Sequence, residues 1–196
     1  MTESRTVAPG QEGTDLMIRR GYRAATLILF PLLGFSMSGC SGKDSYTTPA
    51  QVCDVKVGKE ATAALLPDGE ELKEIKAPDA LFEVGCVLIV DDERAFSVGE
   101  HLSDESTHPA RQLELSQGGS SVGIRRIPDL PSYEKGAVKR REARIRVTCT
   151  HGKKKYLLIG VKLRVSLREE PIQELGDLSE FAKKYAPLAA EKRGCR

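Results

Sequence analysis

A serine-centred motif in the middle of the chain is the first feature whose residue types could carry chemistry. Residues 119–123 read Gly-Ser-Ser-Val-Gly and match the G-x-S-x-G pattern, in which a nucleophilic serine sits on a tight turn between a strand and a helix. Ser121 would need a histidine base, and His151 is the only histidine that follows it. The next residues, 124–128, end in proline and do not read as a helix. A flexible Gly/Ser linker is therefore favoured, and a small serine hydrolase is the alternative.

The other histidines lie among carboxylates. His101 and His108 are close in sequence to three acidic residues, Glu100, Asp104 and Glu105. Such a group could bind a cation weakly, but the spacing is irregular and no EF-hand loop is present. We therefore expect solvated loops here and predict neither a metal site nor a cofactor.

The strongest chemical signal is a concentration of positive charge in the second half of the chain. Between positions 125 and 168 there are 14 lysines and arginines against 3 acidic residues. Alternation along two predicted strands places basic side chains on one face, Arg144 and Arg146 on the first strand and Lys162, Arg164 and Arg168 on the second. Such a face could bind an anionic polymer outside the cell. Pairing of these strands beside the acidic first half would instead neutralise the charge within the fold.

The composition limits these hypotheses. The chain has 196 residues, of which 40% are hydrophobic and 30% charged, and its formal net charge is +2. This length is sufficient for one or two domains with a hydrophobic core. The near-neutral total, and the scarcity of aromatic residues among the basic ones, argue against a nucleic-acid-binding protein.

An export signal occupies residues 1–39. Arg19, Arg20 and Arg23 precede an apolar run over 24–33, after which small residues lead to Cys40. This order is typical of a secretory signal peptide, and the run is well short of the roughly 20 residues that span a bilayer. Met17 is an alternative start of the chain. The arginine pair leaves both general secretion and twin-arginine export open.

The end of this signal resembles a bacterial lipobox. Ser38-Gly39-Cys40 has the expected small residues before cysteine, although Met37 replaces the usual leucine. The resemblance implies that Cys40 becomes the diacylated first residue of the mature protein, with membrane lipid as its partner. Residues 40–50 then read as a flexible tether, and residues 51–196 as a single domain on the extracellular face of the cell membrane.

The four remaining cysteines, Cys53, Cys86, Cys149 and Cys195, are typical of two disulfides in an exported domain. Four cysteines allow three connectivities, and the sequence leaves all three open. We favour Cys53–Cys86 and Cys149–Cys195 because each pair encloses one unit of helix and hairpin. On the chain-entropy model each bond would contribute about 4 kcal/mol.

Hydrophobic periodicity predicts an α+β domain with a four-stranded antiparallel sheet. The predicted elements are a helix over 57–66, a hairpin from 81–90 and 94–98, a flexible segment over 117–136, a hairpin from 143–149 and 156–167, and a helix over 172–191. Residues 107–116 could add a short helix. Two helices packed on one face of two paired hairpins would bury both apolar stripes.

This arrangement resembles small secreted lipoproteins of actinobacteria. The matching features are Val52-Cys53 before a short helix, Gly85-Cys86-Val87 and Val147-Thr148-Cys149 on strands, and a last helix that ends in residues 191–195. The resemblance implies a cell-surface domain and supplies no catalytic residues. We therefore expect a membrane-anchored lipoprotein that is not an enzyme. Its expected role is binding or structural, toward an anionic cell-wall polymer or another envelope protein.

Overall fold

A computed structural model describes residues 46–76, 84–116, 118–164 and 171–196. Over these residues the chain forms an antiparallel sheet and three helices, so the α+β class is confirmed. The strands are β1 Leu72–Lys76, β2 Val84–Val90, β3 Glu93–Ser103, β4 Arg125–Arg126, β5 Glu134–Lys139, β6 Glu142–Thr148 and β7 Tyr156–Leu163. The helices are α1 Lys59–Ala63, α2 Pro109–Ser116 and α3 Pro171–Lys192.

The sheet has seven strands in the order β1-β2-β3-β7-β6-β5-β4, so the prediction of four strands was wrong. The additional strands are β1, β4 and β5. β1 reads Leu-Lys-Glu-Ile-Lys and lies at an edge of the sheet, where charged side chains on an exposed strand hide the usual apolar alternation. β4 and the start of β5 lie in the Gly/Ser/Pro-rich segment 117–136, which therefore contributes to the sheet rather than only linking its halves.

The predicted elements lie near their expected positions. Asp91 and Asp92 form the two-residue turn between β2 and β3, and both have left-handed φ angles, 48° and 65°, as a type I′ hairpin turn requires. The first predicted helix is shortened to five residues and the last extends over 22. The predicted start of the first hairpin, residues 81–83, and the predicted end of the second, residues 165–167, lie outside the described residues.

One face of the sheet carries the main hydrophobic core. Alternate residues of β6 and β7, such as Ile145 and Ile159, pair across the strands and pack under α3. The Phe181 ring of α3 meets the Phe96 ring edge-on, with 5.5 Å between ring centroids. Leu65, just after α1, belongs to the same core, so the two predicted helices do pack on one face.

The third helix, α2, covers the opposite face over β5 and β6. Leu113 of α2 is fully buried but lies outside the core formed with α3. The Ser116 hydroxyl at the end of α2 donates to Glu142 Oε2 at 3.2 Å. By strand alternation, Glu142 lies on the other side of the sheet from the core residue Ala143. The β5–β6 half of the sheet is therefore covered on both faces.

The two disulfides join Cys53 to Cys86 and Cys149 to Cys195, the pairing favoured from the order of the elements. The second bond holds the residues after α3 against the connection between β6 and β7. The Cys195 carbonyl also accepts the backbone N–H of Thr150 at 2.9 Å. Among the described residues, no helix is both long and apolar enough to cross a membrane.

Candidate functional site

Two of the four predicted anion-binding residues are buried. Arg144 and Arg146 are only 7% and 8% exposed, because α2 and the loop before it cover this part of the sheet. Arg144 forms a salt bridge with Glu142, and its Nε lies 2.7 Å from Glu142 Oε1. Arg146 donates from Nη1 to Ser106 Oγ at 2.6 Å and stacks on the Tyr156 ring. These two guanidinium groups do not form the exposed stripe that alternation predicted.

The other two predicted residues, Lys162 and Arg164, are exposed. Lys162 lies directly across from Glu142 in the register of β6 and β7. Just beyond β7, Arg164 donates its backbone N–H to Ala95, and its carbonyl accepts Nη1 of Arg141 at 3.2 Å. Both residues lie where β7 ends, beside the turn that joins β5 to β6.

A cleft of about 510 Å³ opens at this end of the sheet. Its basic residues are Lys139, Arg140, Arg141 and Lys162, and its other lining residues are Ser116, Ser120, Val122, Glu142 and Leu163. Lys139 ends β5, and Arg140 and Arg141 form the turn into β6. In the register of the sheet, Lys139 lies opposite Glu142, and Glu142 lies opposite Lys162. The two lysines therefore flank Glu142 in one row across three strands.

The carboxylate inside the cleft is already engaged. Glu142 accepts Arg144 at Oε1 and the Ser116 hydroxyl at Oε2. Within the described parts of the chain, none of the four basic residues that line the cleft forms a salt bridge. The positive charge of the cleft is therefore not cancelled by its own carboxylate, since the buried Arg144 compensates that carboxylate.

The Gly/Ser segment forms one wall of the cleft. The ammonium of Lys139, which is itself buried, donates to the Ser120 carbonyl at 2.5 Å. The loop also folds back on α2, because the Gly119 N–H donates to the Glu114 carbonyl at 2.8 Å. Gly118, Gly119 and Gly123 have φ angles of 75°, 84° and 79°, so this path requires residues without a side chain.

The order of elements around Ser121 is the reverse of a nucleophile elbow. A helix, α2, precedes the motif and the short strand β4 follows it, whereas the elbow needs a strand first and a helix second. His151 lies in the connection between β6 and β7, at the other end of the sheet from the cleft. The fold thus keeps the serine motif and its only downstream histidine apart.

Among the described residues, His101 and His108 do not form a metal-binding group with the acidic residues near them in sequence. Over the described residues there is no group of three or more histidine, cysteine or acidic side chains that could hold a metal ion. The pKa of His108 is lowered, first by partial burial and then by the positive charges of Lys135, Arg146 and Arg126. The charges that lower this pKa are therefore those of cations, and the carboxylates near His108 in sequence do not offset them.

A second cavity, of about 570 Å³, lies beside β4 and β5 and is more apolar. Ile127 and Leu130 lie beside Gly136 there, where a Cβ would meet both side chains. Glu134 also lines this cavity, and its Oε1 accepts Arg196 at 2.8 Å. Burial raises the pKa of Glu134, and the guanidinium of Arg196 offsets this only in part.

Sequence reasoning missed Lys139, Arg140 and Arg141. The available signal was the consecutive Lys-Arg-Arg run between two apolar stretches, which is also a turn signature once β5 is recognised. Cys40 lies outside the described residues.

Comparison of this chain with protein-family models, with curated proteins and with solved structures gave no match.

Proposed function

We propose that this protein is an extracellular, lipid-anchored binding domain that holds a phosphate-bearing anion in the basic cleft. The observation that carries the proposal is the arrangement around the turn between β5 and β6. Four basic residues line one cleft there, and Glu142, the only acidic residue among the described residues of its lining, is paired with the buried Arg144.

The chemistry of the cleft favours a polyanion over a single small anion. Arg140 and Arg141 present planar guanidinium groups, which suit the oxygen atoms of phosphate. Lys162 adds a more flexible charge from the neighbouring strand. Because the groups are spread over two strands and a turn, a ligand with several charges along its length would use them together.

The anchoring part of the proposal rests on the sequence. The signal-like residues 1–39 and the lipobox-like Ser38-Gly39-Cys40 support acylation of Cys40. Two acyl chains on one residue hold a protein stably on a bilayer, where one chain does not. The resemblance of the cysteine placement to small actinobacterial lipoproteins, inferred from the sequence, would imply the same location. The role proposed is binding rather than catalysis.

Charge reversal in the cleft tests the binding function. We expect Arg140→Glu/Arg141→Glu to weaken binding of linear polyphosphate by at least about tenfold, since each basic group near an anionic surface contributes about 1 kcal/mol. Isothermal titration calorimetry at low salt measures the dissociation constant directly. Binding of the unchanged protein should also weaken steeply as salt is added.

The matched control reverses the same amount of charge in another hairpin connection. Lys153 and Lys155 are exposed and lie between β6 and β7, at the opposite end of the sheet. Lys153→Glu/Lys155→Glu should leave polyphosphate binding within about twofold of the unchanged protein. Equal losses in the two double variants would mean that net charge, and not the cleft, governs binding.

Removal of the acylated thiol tests the anchor. Cys40→Ala should move the protein from the detergent phase to the aqueous phase in detergent partition, because it removes the residue that carries lipid. Mass spectrometry of the unchanged protein should find the acyl groups on the peptide that begins at Cys40. An unchanged partition of the variant would overturn the anchoring part.

A further inference from the structure

We infer that the anion bound by the basic cleft is the phosphate of anionic lipid in the bilayer that carries the anchor, with Val122 entering the interface beside it. This inference rests on the proposed function and adds the source of the ligand and the orientation of the domain. Three features of the structure support it: the place where the described chain begins, the position of the cleft along the strands, and an exposed apolar side chain at the cleft.

The cleft lies at the same end of the sheet as the turn between β2 and β3. That turn is at Asp91 and Asp92, and β3 then pairs with β7 so that Phe96 lies opposite Leu163. One residue earlier in β7, Lys162 lies opposite Glu142, which directly follows the Arg140–Arg141 turn. Measured across the strands, about three spacings of 4.8 Å, roughly 14 Å, lie between the two turns, and the Asp91–Asp92 turn extends further beyond the sheet.

The described chain begins at this end as well. The Tyr46 hydroxyl donates to the Pro67 carbonyl, and Gly69 packs directly on Val90 and Asp91 beside the turn. Tyr46 lies six positions after Cys40 in the sequence, and an extended chain over that separation reaches at most about 20 Å. An acyl group on Cys40 would therefore hold the end of the sheet that carries the cleft close to the bilayer.

An apolar side chain accompanies the basic residues. Val122 lines the cleft and is 81% exposed, more than the three other exposed large hydrophobic residues of the described chain. It lies in the loop between the left-handed Gly119 and Gly123, where a Cβ would meet no neighbouring atom. A protruding apolar residue at the wall of a basic cleft suits a surface of anionic headgroups above acyl chains. A soluble polyanion would leave it in water.

The charges at this end also give the domain a direction of tilt. Asp91 and Asp92 are exposed beside the point where the tether enters, whereas the basic turn lies on the β5–β6 side. An anionic surface repels the first turn and attracts the second. The domain would therefore lean toward its basic side and bring Val122 and the Arg140–Arg141 turn into contact with lipid.

Tryptophan fluorescence of the acylated protein in lipid nanodiscs tests this inference. Because the chain contains no tryptophan, Val122→Trp introduces a single reporter. We expect its emission to shift to the blue, and to be quenched by brominated acyl chains, in discs that contain phosphatidylglycerol. Neither change is expected in discs of phosphatidylcholine alone, although the acyl anchor is present in both.

Two controls separate docking from anchoring. Tyr133→Trp places the reporter at the opposite end of the sheet, since the Tyr133 carbonyl accepts the N–H of Thr148 at the end of β6, and it should respond to neither disc. Arg140→Glu/Arg141→Glu added to Val122→Trp should abolish the shift. An equal response of the Val122→Trp reporter in both discs would overturn the inference, since the anchor alone would then bring the loop to the bilayer.

Soluble polyphosphate distinguishes this inference from the proposed function. A cleft that binds polyphosphate in solution but gives no response in phosphatidylglycerol discs would overturn the membrane as the source and leave the anion site intact. A cleft that binds neither would overturn both proposals. Docking of the cleft on lipid would be established if the Val122→Trp emission shifts to the blue and is quenched only when the discs contain phosphatidylglycerol and Arg140 and Arg141 are unchanged.

Discussion

Two side chains, Tyr185 and Arg193, donate hydrogen bonds to the buried carboxylate of Glu100 beneath α3. The Tyr185 hydroxyl donates to Glu100 Oε1 at 2.6 Å, and Arg193 donates to Glu100 Oε2 at 2.5 Å. Burial, together with the nearby carboxylate of Glu100, raises the pKa of Tyr185 above its usual value. Both carboxylate oxygens thus have donors, as a buried charge requires.

Removing the Tyr185 hydroxyl should destabilise the protein measurably. Tyr185→Phe leaves Glu100 Oε1 without this donor in a buried site, and we expect a loss of about 1–3 kcal/mol in the free energy of unfolding. Tyr133→Phe is the matched control, because Tyr133 is partly exposed, and it should change stability by less than about 0.5 kcal/mol. Urea denaturation followed by circular dichroism measures both, and similar values for the two variants would contradict the role given to the buried hydrogen bond.

Residue type alone did not separate structural arginines from arginines free to bind. Arg144 and Arg140 lie four residues apart, yet Arg144 compensates Glu142 under α2 while Arg140 lines the open cleft. Alternation correctly predicted that Arg144 and Arg146 share a face with Lys162. It could not predict that the short helix α2 covers that face, because the covering depends on a contact between elements far apart in the sequence.

The turn between β2 and β3 is the clearest case in which one element positions another. Asp91 accepts the N–H groups of Glu70 and Glu71 through Oδ1, at 2.9 and 2.8 Å. These residues lead directly into β1. Asp92 has the same left-handed backbone conformation as Asp91. Its side chain, however, is 90% exposed, and its Oδ1 lies 3.6 Å from Nζ of Lys73. One aspartate therefore fixes the edge strand, and the other only completes the turn.

A pair of glycine substitutions in this turn tests that difference. Asp91→Gly should be less stable than Asp92→Gly by about 1–2 kcal/mol, because only the first removes hydrogen bonds to Glu70 and Glu71. The two substitutions change backbone freedom at adjacent left-handed positions, so those effects largely cancel in the comparison. Thermal and urea unfolding of both variants give the difference. Equal stability would show that the Asp91 carboxylate does not hold β1.

Elements with strong periodicity were predictable and weakly patterned ones were not. The apolar residues of α3, such as Leu178, Phe181 and Tyr185, recur at helical spacing and are all buried. β4 has only two residues, both arginine, and carries no pattern of its own. Its pairing with β5, Arg125 opposite Val138, exists because the neighbouring strand offers an edge. Such a strand follows from the fold and not from its own sequence.

The near-neutral net charge of the protein conceals an acidic first half and a basic second half. Residues 40–120 contain 7 basic and 16 acidic residues, and residues 121–196 contain 19 and 9. Because β1–β3 and β4–β7 each stay together in the sheet, this division along the chain becomes a division across it. The basic cleft lies within the second group. The sequence predicted the asymmetry, but only the structure shows that the first half contributes just Ser116 and Ser120, both uncharged, to the described lining of the cleft.

The strand order also has a consequence for how the chain reaches its fold. Within β1–β3 and within β4–β7, every strand pairs with its neighbour in sequence, so these contacts form early and at little entropic expense. β3 and β7 are the exception, since Phe96 pairs with Leu163 across a long intervening chain. Closing that loop is costly until the core beneath α3 compensates for it. The folding barrier is therefore expected at this seam, where two locally formed sheets become one.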